Sequence, residues 1–150
     1  METLPSLQIG QHIARYPIIQ GGMGIRISGS HLAAAVANAG GVGVVSGVGL
    51  GLNSPYFDPN ESNPRIRREQ FFEANRLALI DELQTARQLS PDGIIGVNVM
   101  VVARDYETLV RTSAEQGVNL IISGAGLPPN PHKISLKRGV GGIFLGMPPL

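Results

Sequence analysis

Short apolar runs that each stop at glycine or a small polar residue, with helix-forming stretches between them, constrain this chain more than any other feature. Pro17-Ile18-Ile19-Gln20, Val42-Gly43-Val44-Val45, Ile94-Ile95-Gly96-Val97-Asn98-Val99-Met100 and Val118-Asn119-Leu120-Ile121-Ile122 are rich in β-branched residues and lack the alternation of a half-solvated strand. They read as strands covered on both faces. Three helical stretches are predicted between them: the alanine-rich Ser30 to Ala39, Glu69 to Gln88 with Phe72, Leu79, Ile80 and Leu83 at helical intervals, and Asp105 to Gln116. A strand, a helix and a strand in succession give a parallel pair joined by a right-handed crossover. About four such units in line predict an α/β fold.

The punctuation agrees with this grammar. Ser28 or Ser30 is available to cap the first helix and Gly40-Gly41 to stop it, Ser90-Pro91-Asp92-Gly93 closes the second as a turn, and Gly117 ends the third. Gly47 to Arg68 is aperiodic and too long for a plain connector, which predicts a functional excursion or lid. After Ser123-Gly124-Ala125-Gly126-Leu127 the pattern changes: Pro128, Pro129 and Pro131 forbid an immediate helix, and Lys133 to Arg138 is a short basic stretch. Val140 to Leu145 is a glycine-weakened strand at best, so residues 1–127 are read as the folded unit and 128–150 as a divergent tail, as a truncation or frame change would leave.

Composition excludes several functions. A formal net charge of +1, with basic residues scattered except for Arg65, Arg67 and Arg68, gives no footprint for nucleic acid or an anionic membrane. Without cysteine there is neither a disulfide framework nor a thiolate metal site, and a cytoplasmic location is the default expectation. No apolar run reaches membrane-spanning length, and Met1 to Arg15 is too mixed for a secretory signal.

Small and polar residues gather where the strands end: Gln20-Gly21-Gly22-Met23-Gly24, Ser46-Gly47, Asn98 and Ser123-Gly124. In a parallel barrel or a doubly wound sheet these ends line the binding site, and glycines there let a large planar cofactor approach backbone N–H groups. A dinucleotide fingerprint around Gly47 fails, because Leu52 to Pro64 is hostile to the helix that must follow and the next strand ends in Asn98 rather than an acid. His31 opens a helix without a carboxylate nearby in sequence and reads as structural; His12 and His132 receive no role.

Four segments in order, Pro17-Ile-Ile-Gln-Gly-Gly-Met-Gly, Ala37-Asn-Ala-Gly-Gly-Val-Gly-Val-Val-Ser, Gly96-Val-Asn-Val-Met and Ser123-Gly-Ala-Gly-Leu, together resemble the nitronate monooxygenase family over roughly Ile9 to Leu127. The resemblance implies an FMN-dependent TIM barrel that oxidises alkyl nitronates with O₂, of which this chain would hold an incomplete (β/α)₈ portion. A related branch reduces enoyl thioesters with a nicotinamide donor, and a non-catalytic fragment is the alternative from outside enzymology. By the resemblance Gly22, Met23 and Gly24 would pass along the flavin ring, Asn98 would hydrogen-bond the ring or ribityl chain, and Ser123, Gly124 and Ser46 would line the same pocket. The family's Gly-Gly-His segment, with its candidate catalytic base, and its late phosphate-binding loops have no counterpart in the sequence, so no catalytic residue is assigned.

Equilibrium dialysis should therefore find FMN held weakly by the 150-residue chain, since the ring wall is present and the phosphate donors are not; sub-micromolar retention would refute this. Half a barrel leaves edge N–H and C=O groups unpaired and exposes inward apolar residues, expected to include Ile19, Val44, Val97 and Ile121. Light scattering at micromolar concentration should report self-association, and a compact monomer would refute it.

Overall fold

The computed structural model describes residues 4–24, 26–126 and 140–144, the last four of these by backbone only. The doubtful tail, including His132 and Lys133 to Arg138, lies outside the described residues except for Val140 to Phe144. Ten elements follow in order: β1 Leu7–Ile9, β2 His12–Ala14, α1 Ser30–Asn38, β3 Val42–Ser46, a 3₁₀ turn Leu50–Asn53, α2 Pro64–Leu89, β4 Ile94–Met100, α3 Tyr106–Glu115, β5 Leu120–Gly124 and β6 Gly141–Phe144.

β3, β4, β5 and β6 form one parallel sheet in chain order. The predicted first strand, residues 17–20, lies at its edge through a single parallel bridge from Ile19 to Val42. Sequential order without a reversal is the signature of a barrel rather than of a doubly wound sheet, which must turn back at a switch point. The helices agree: α1, α2 and α3 all pack on one face of the sheet, where Ala33, Ala37, Leu79, Leu83, Leu109 and Val110 join Val45, Ile95, Val97, Val99 and Ile121 in one core. The fold is thus part of a (β/α)₈ barrel, helices outside.

Because side chains alternate across a strand, the register fixes a second set on the inner face. Val42, Val44, Leu120 and Ile122 cluster there with Ala14, Leu7, Ile9 and Ile94. Val97 and Ile121 therefore belong to the helix side and correct the expectation that they face inward, whereas Val44 does face inward. The antiparallel hairpin of β1 and β2, turned at Gly10 with φ +58°, covers the N-terminal half of that inner face. The sequence reading assigned no strand to this segment. It closes one end of the sheet's inner side and leaves the strand C-termini as the open end.

Helix α2 begins at Pro64, earlier than the predicted Glu69, because Asn63 caps it by accepting from the N–H groups of Arg65 (3.0 Å) and Ile66 (3.4 Å) and proline suits the first helical position. The expected serine cap of α1 is replaced by a distant group: the Ser30 N–H donates to Glu82 Oε2 of α2 at 2.6 Å. Among the described residues no helix is long and apolar enough to cross a membrane.

Gly43 decides how closely α1 approaches the sheet, since a Cβ there would fall inside the carbonyl of Ala33. Gly43→Ala should destabilise the chain by about 3 kcal/mol, the range of overpacked cores, and shift the midpoint of urea unfolding accordingly; a midpoint within error of the parent would show that α1 moves freely.

Candidate functional site

The open end is built around the segment that leaves the first strand. Gln20 donates its N–H to Val42 O at 3.0 Å, and its side-chain amide then stands in for the next peptide, donating to Val44 O (3.0 Å) and accepting from Val44 N–H (3.2 Å). The glycine loop that follows is tied to Ser28, which is fully buried. Its hydroxyl donates to Gly21 O (2.9 Å) and accepts from Met23 N–H (3.0 Å), while its own N–H donates to Met23 O (3.1 Å). Ser46 N–H in turn donates to Ser28 O at 2.9 Å, which hangs the loop from the end of β3.

This lacing sorts the loop's donors. Met23 N–H is occupied by Ser28, whereas among the described residues the N–H groups of Gly22 and Gly24 have no partner. The Met23 side chain is 55% exposed. Gly22 rests directly on Asn98: a Cβ added to it would lie 2.5 Å from Asn98 Cβ. Gly24 rests on Val48, just beyond β3, with a Cβ placed 3.3 Å from that side chain. No larger residue fits at Gly22 without moving Asn98.

Asn98 stands on the inner face of β4, in register with Ser46 of β3 and Ile122 of β5. Its Nδ2 reaches Ile122 O at a long 3.4 Å, and a Cβ on Gly124 would be 4.0 Å from that nitrogen. Its amide is therefore loosely held at the place where Gly22 and Gly124 converge. Ser46 shares the face, fully enclosed, and its hydroxyl accepts from Val48 N–H at 3.4 Å in the turn that follows. Ser123 departs from expectation. Paired in register with Val99, it lies on the helix side, where its hydroxyl and that of Tyr106 meet at 2.8 Å in a buried contact. The pleat places it behind the wall that Asn98 faces.

The gathered groups are neutral: peptide N–H, a carboxamide and a thioether. The groups whose titration is displaced lie elsewhere. Asp81, which accepts from the Tyr56 hydroxyl at 2.7 Å, raises the phenol above its ordinary value, and Arg76 holds Glu73 below the usual carboxylate range by a hydrogen bond; all are on or beside the outer surface of α2. His31 is exposed at the start of α1, and His12 is in the hairpin at the opposite end. Arg65 forms an exposed pair with Glu69 (3.2 Å), worth little in solution. Among the described residues no group of three or more His, Cys, Asp or Glu could hold a metal ion.

One polar cluster escaped the sequence reading. Asn75, buried in α2, accepts from Gly51 N–H (3.2 Å) and donates to Gly47 O (3.3 Å) and to Asp105 Oδ2 (2.7 Å). Asn75 and Asp105 line a cavity of about 120 Å³ with Gly47, Phe71, Val99 and Met100. Its signal was an asparagine on the buried stripe of α2, beside Ala74 and Ala78.

With this geometry in place, comparison with known proteins is decisive for family. No curated protein sequence matches. Among solved structures, FabK from Thermotoga maritima superposes with a TM-score of 0.60 at 25% identity, covering 87% of this chain and 34% of FabK. An IMP dehydrogenase/GMP reductase-like protein from Corynebacterium glutamicum gives a TM-score of 0.63 at 13% identity, covering 95% of this chain and 42% of that one, a likeness of fold alone. The chain thus spans about a third of the length of FabK. The family model for nitronate monooxygenase matches residues 6–145. This chain belongs to the nitronate monooxygenase family.

Proposed function

We propose that this chain forms the ring-binding wall of an FMN-dependent oxidoreductase whose reaction is the oxidation of alkyl nitronates by O₂. Family membership supports a flavin; the choice of FMN is our reading. The observation that carries it is the contact of Gly22 with Asn98 at the strand C-termini, where backbone donors without a partner among the described residues meet a loosely held carboxamide on a neutral face.

The residues fit the group. Gly22 and Gly24 N–H would donate to the polar edge of the ring, and the Asn98 amide, able to donate and accept, would pair with a ring or ribityl oxygen or nitrogen. Met23 would lay its exposed thioether along the ring, and Gly124 gives the opposite wall its clearance. Ser46 stays a minor member, and Ser123 would act only through the position of β5. When bound, the flavin supplies electron exchange with substrate and O₂. The protein contributes a pocket that imposes no charge on the ring and a loop fixed in advance by Ser28, which limits reorganisation on binding.

We read residues 1–127 as the ring-binding unit; of residues 128–150, Gly141–Phe144 belongs with it, paired to β5 as β6. The partner is a small nitronate; an enoyl thioester is the second reading, favoured by the likeness to FabK. The free edge of residues 17–20, where Ile18 and Ile19 are 54% and 40% exposed, is the surface through which we expect self-association. A cytoplasmic location completes the reading.

Titration of the chain with FMN, followed by quenching of flavin fluorescence, tests the wall. Asn98→Ala should weaken binding about tenfold, equivalent to about 1.4 kcal/mol, and shift the melting temperature by only a few degrees, because the one hydrogen bond its side chain makes among the described residues is long. A large loss of apoprotein stability with FMN affinity untouched would assign Asn98 to the fold instead. For the reaction, a flavin-loaded full-length protein carrying these site residues should consume O₂ with an alkyl nitronate and leave a nicotinamide donor with an enoyl thioester unchanged; the reverse would select the second reading, and no turnover of either would reject both.

A further inference from the structure

We infer that Asn75 is a positioning residue for the candidate ring site, acting through the loop after β3 rather than by contact. It is 2% exposed on α2. A buried carboxamide without partners is strongly unfavourable, and this one uses its whole donor capacity and one acceptor position: Nδ2 donates to Gly47 O and Asp105 Oδ2, and Oδ1 accepts from Gly51 N–H. The orientation is fixed by the partners, since two acceptors face one end of the amide and an N–H faces the other. Asp105, 8% exposed, brings the first turn of α3 into the same cluster.

The loop held this way leads to the site. Gly47 N–H donates to Asn98 O at 2.8 Å, so the residue whose carbonyl Asn75 grips is itself bonded through its N–H to the Asn98 backbone. The adjoining Val48 carries Gly24. Gly49 is left-handed at φ +70°, a turn that a glycine permits and that Gly51, pressed against the backbone of Ala74 and Asn75, anchors at its far end. Replacing Asn75 thus frees Gly47 O and Gly51 N–H together, and the slack passes to Val48 and Gly24 on one side and Asn98 on the other.

The loop-holding role stands on the contacts alone; its consequence for FMN rests on the function proposed above. Two readouts separate them. In the 150-residue chain, Asn75→Ala should raise the dissociation constant for FMN about tenfold and accelerate hydrogen exchange at Gly51, Leu52 and Ser54, with exchange in β4 and β5 unchanged. Asp105→Asn, which keeps an acceptor for Nδ2, should bind FMN within about twofold of the parent. Asn75→Asp removes both amide donors and sets a carboxyl group against Asp105 and the Gly47 carbonyl, so it should weaken FMN binding at least as much as Asn75→Ala. If the parent binds no FMN, the flavin reading fails and the exchange data alone judge the loop. Uniformly faster exchange throughout the protein in Asn75→Ala, or unchanged FMN affinity beside faster loop exchange, would each overturn the proposal, because the amide would then serve the core and not the site.

Discussion

The two-residue period of the parallel strands governs nearly everything else in this molecule. Once β3, β4 and β5 pair in register, every side chain on them is committed either to the helices or to the inner face. Val45, Ile95, Val97, Val99 and Ile121 go to the helix layer, where burial of apolar surface supplies most of the driving force. Val42, Val44, Leu120 and Ile122 go inward and are covered by the hairpin. The same count sets Asn98 on the inner face and Ser123 behind it. The position of the site is therefore a by-product of the pairing that builds the core.

What the pairing leaves open is how an irregular glycine loop keeps one shape at the strand ends. Buried side chains supply the missing backbone partners. Gln20 replaces a peptide, Ser28 closes the Gly21 to Met23 turn, and Asn75 holds the loop beyond β3. Each satisfies groups that would be costly to bury alone. The result is a loop backbone fixed by protein hydrogen bonds, so that little beyond the Met23 and Asn98 side chains would have to be ordered on binding.

Much of this was legible in the sequence because the core strands are apolar on both faces and bounded by glycine. Val42 to Val45, Ile94 to Met100 and Val118 to Ile122 correspond to β3, β4 and β5 within two residues, and α3 matches its predicted span closely. The misses have physical causes. Residues 17–20 form a bridge instead of a full strand because the Gln20 side chain takes over the pairing. The early start of α2 was hidden inside an aperiodic stretch although Asn63-Pro64 is a cap followed by a favoured first residue. Strands of three residues, as in β1 and β2, are too short to show a period. Ser123 was grouped with Asn98 because both stand near strand ends, and only the register, Val99 opposite Ser123, reveals that they point apart. Asn75 gave only a local hint, a polar residue on the buried stripe of α2, because its partners come from other elements, a relation that no local pattern encodes.

The carboxylate of Glu82 on the first N–H of α1 bears on how the chain comes to be folded. The two residues are 52 positions apart, and the intervening segment contains β3 and the whole first half of α2. While the protein is being synthesised, α1 emerges with its leading amide groups unsatisfied and must wait for most of α2 to leave the ribosome before that end is completed. A nine-residue helix is marginal by itself. Its contact with Glu82 is therefore available only after the chain has grown past that residue, which makes it a late, non-local one.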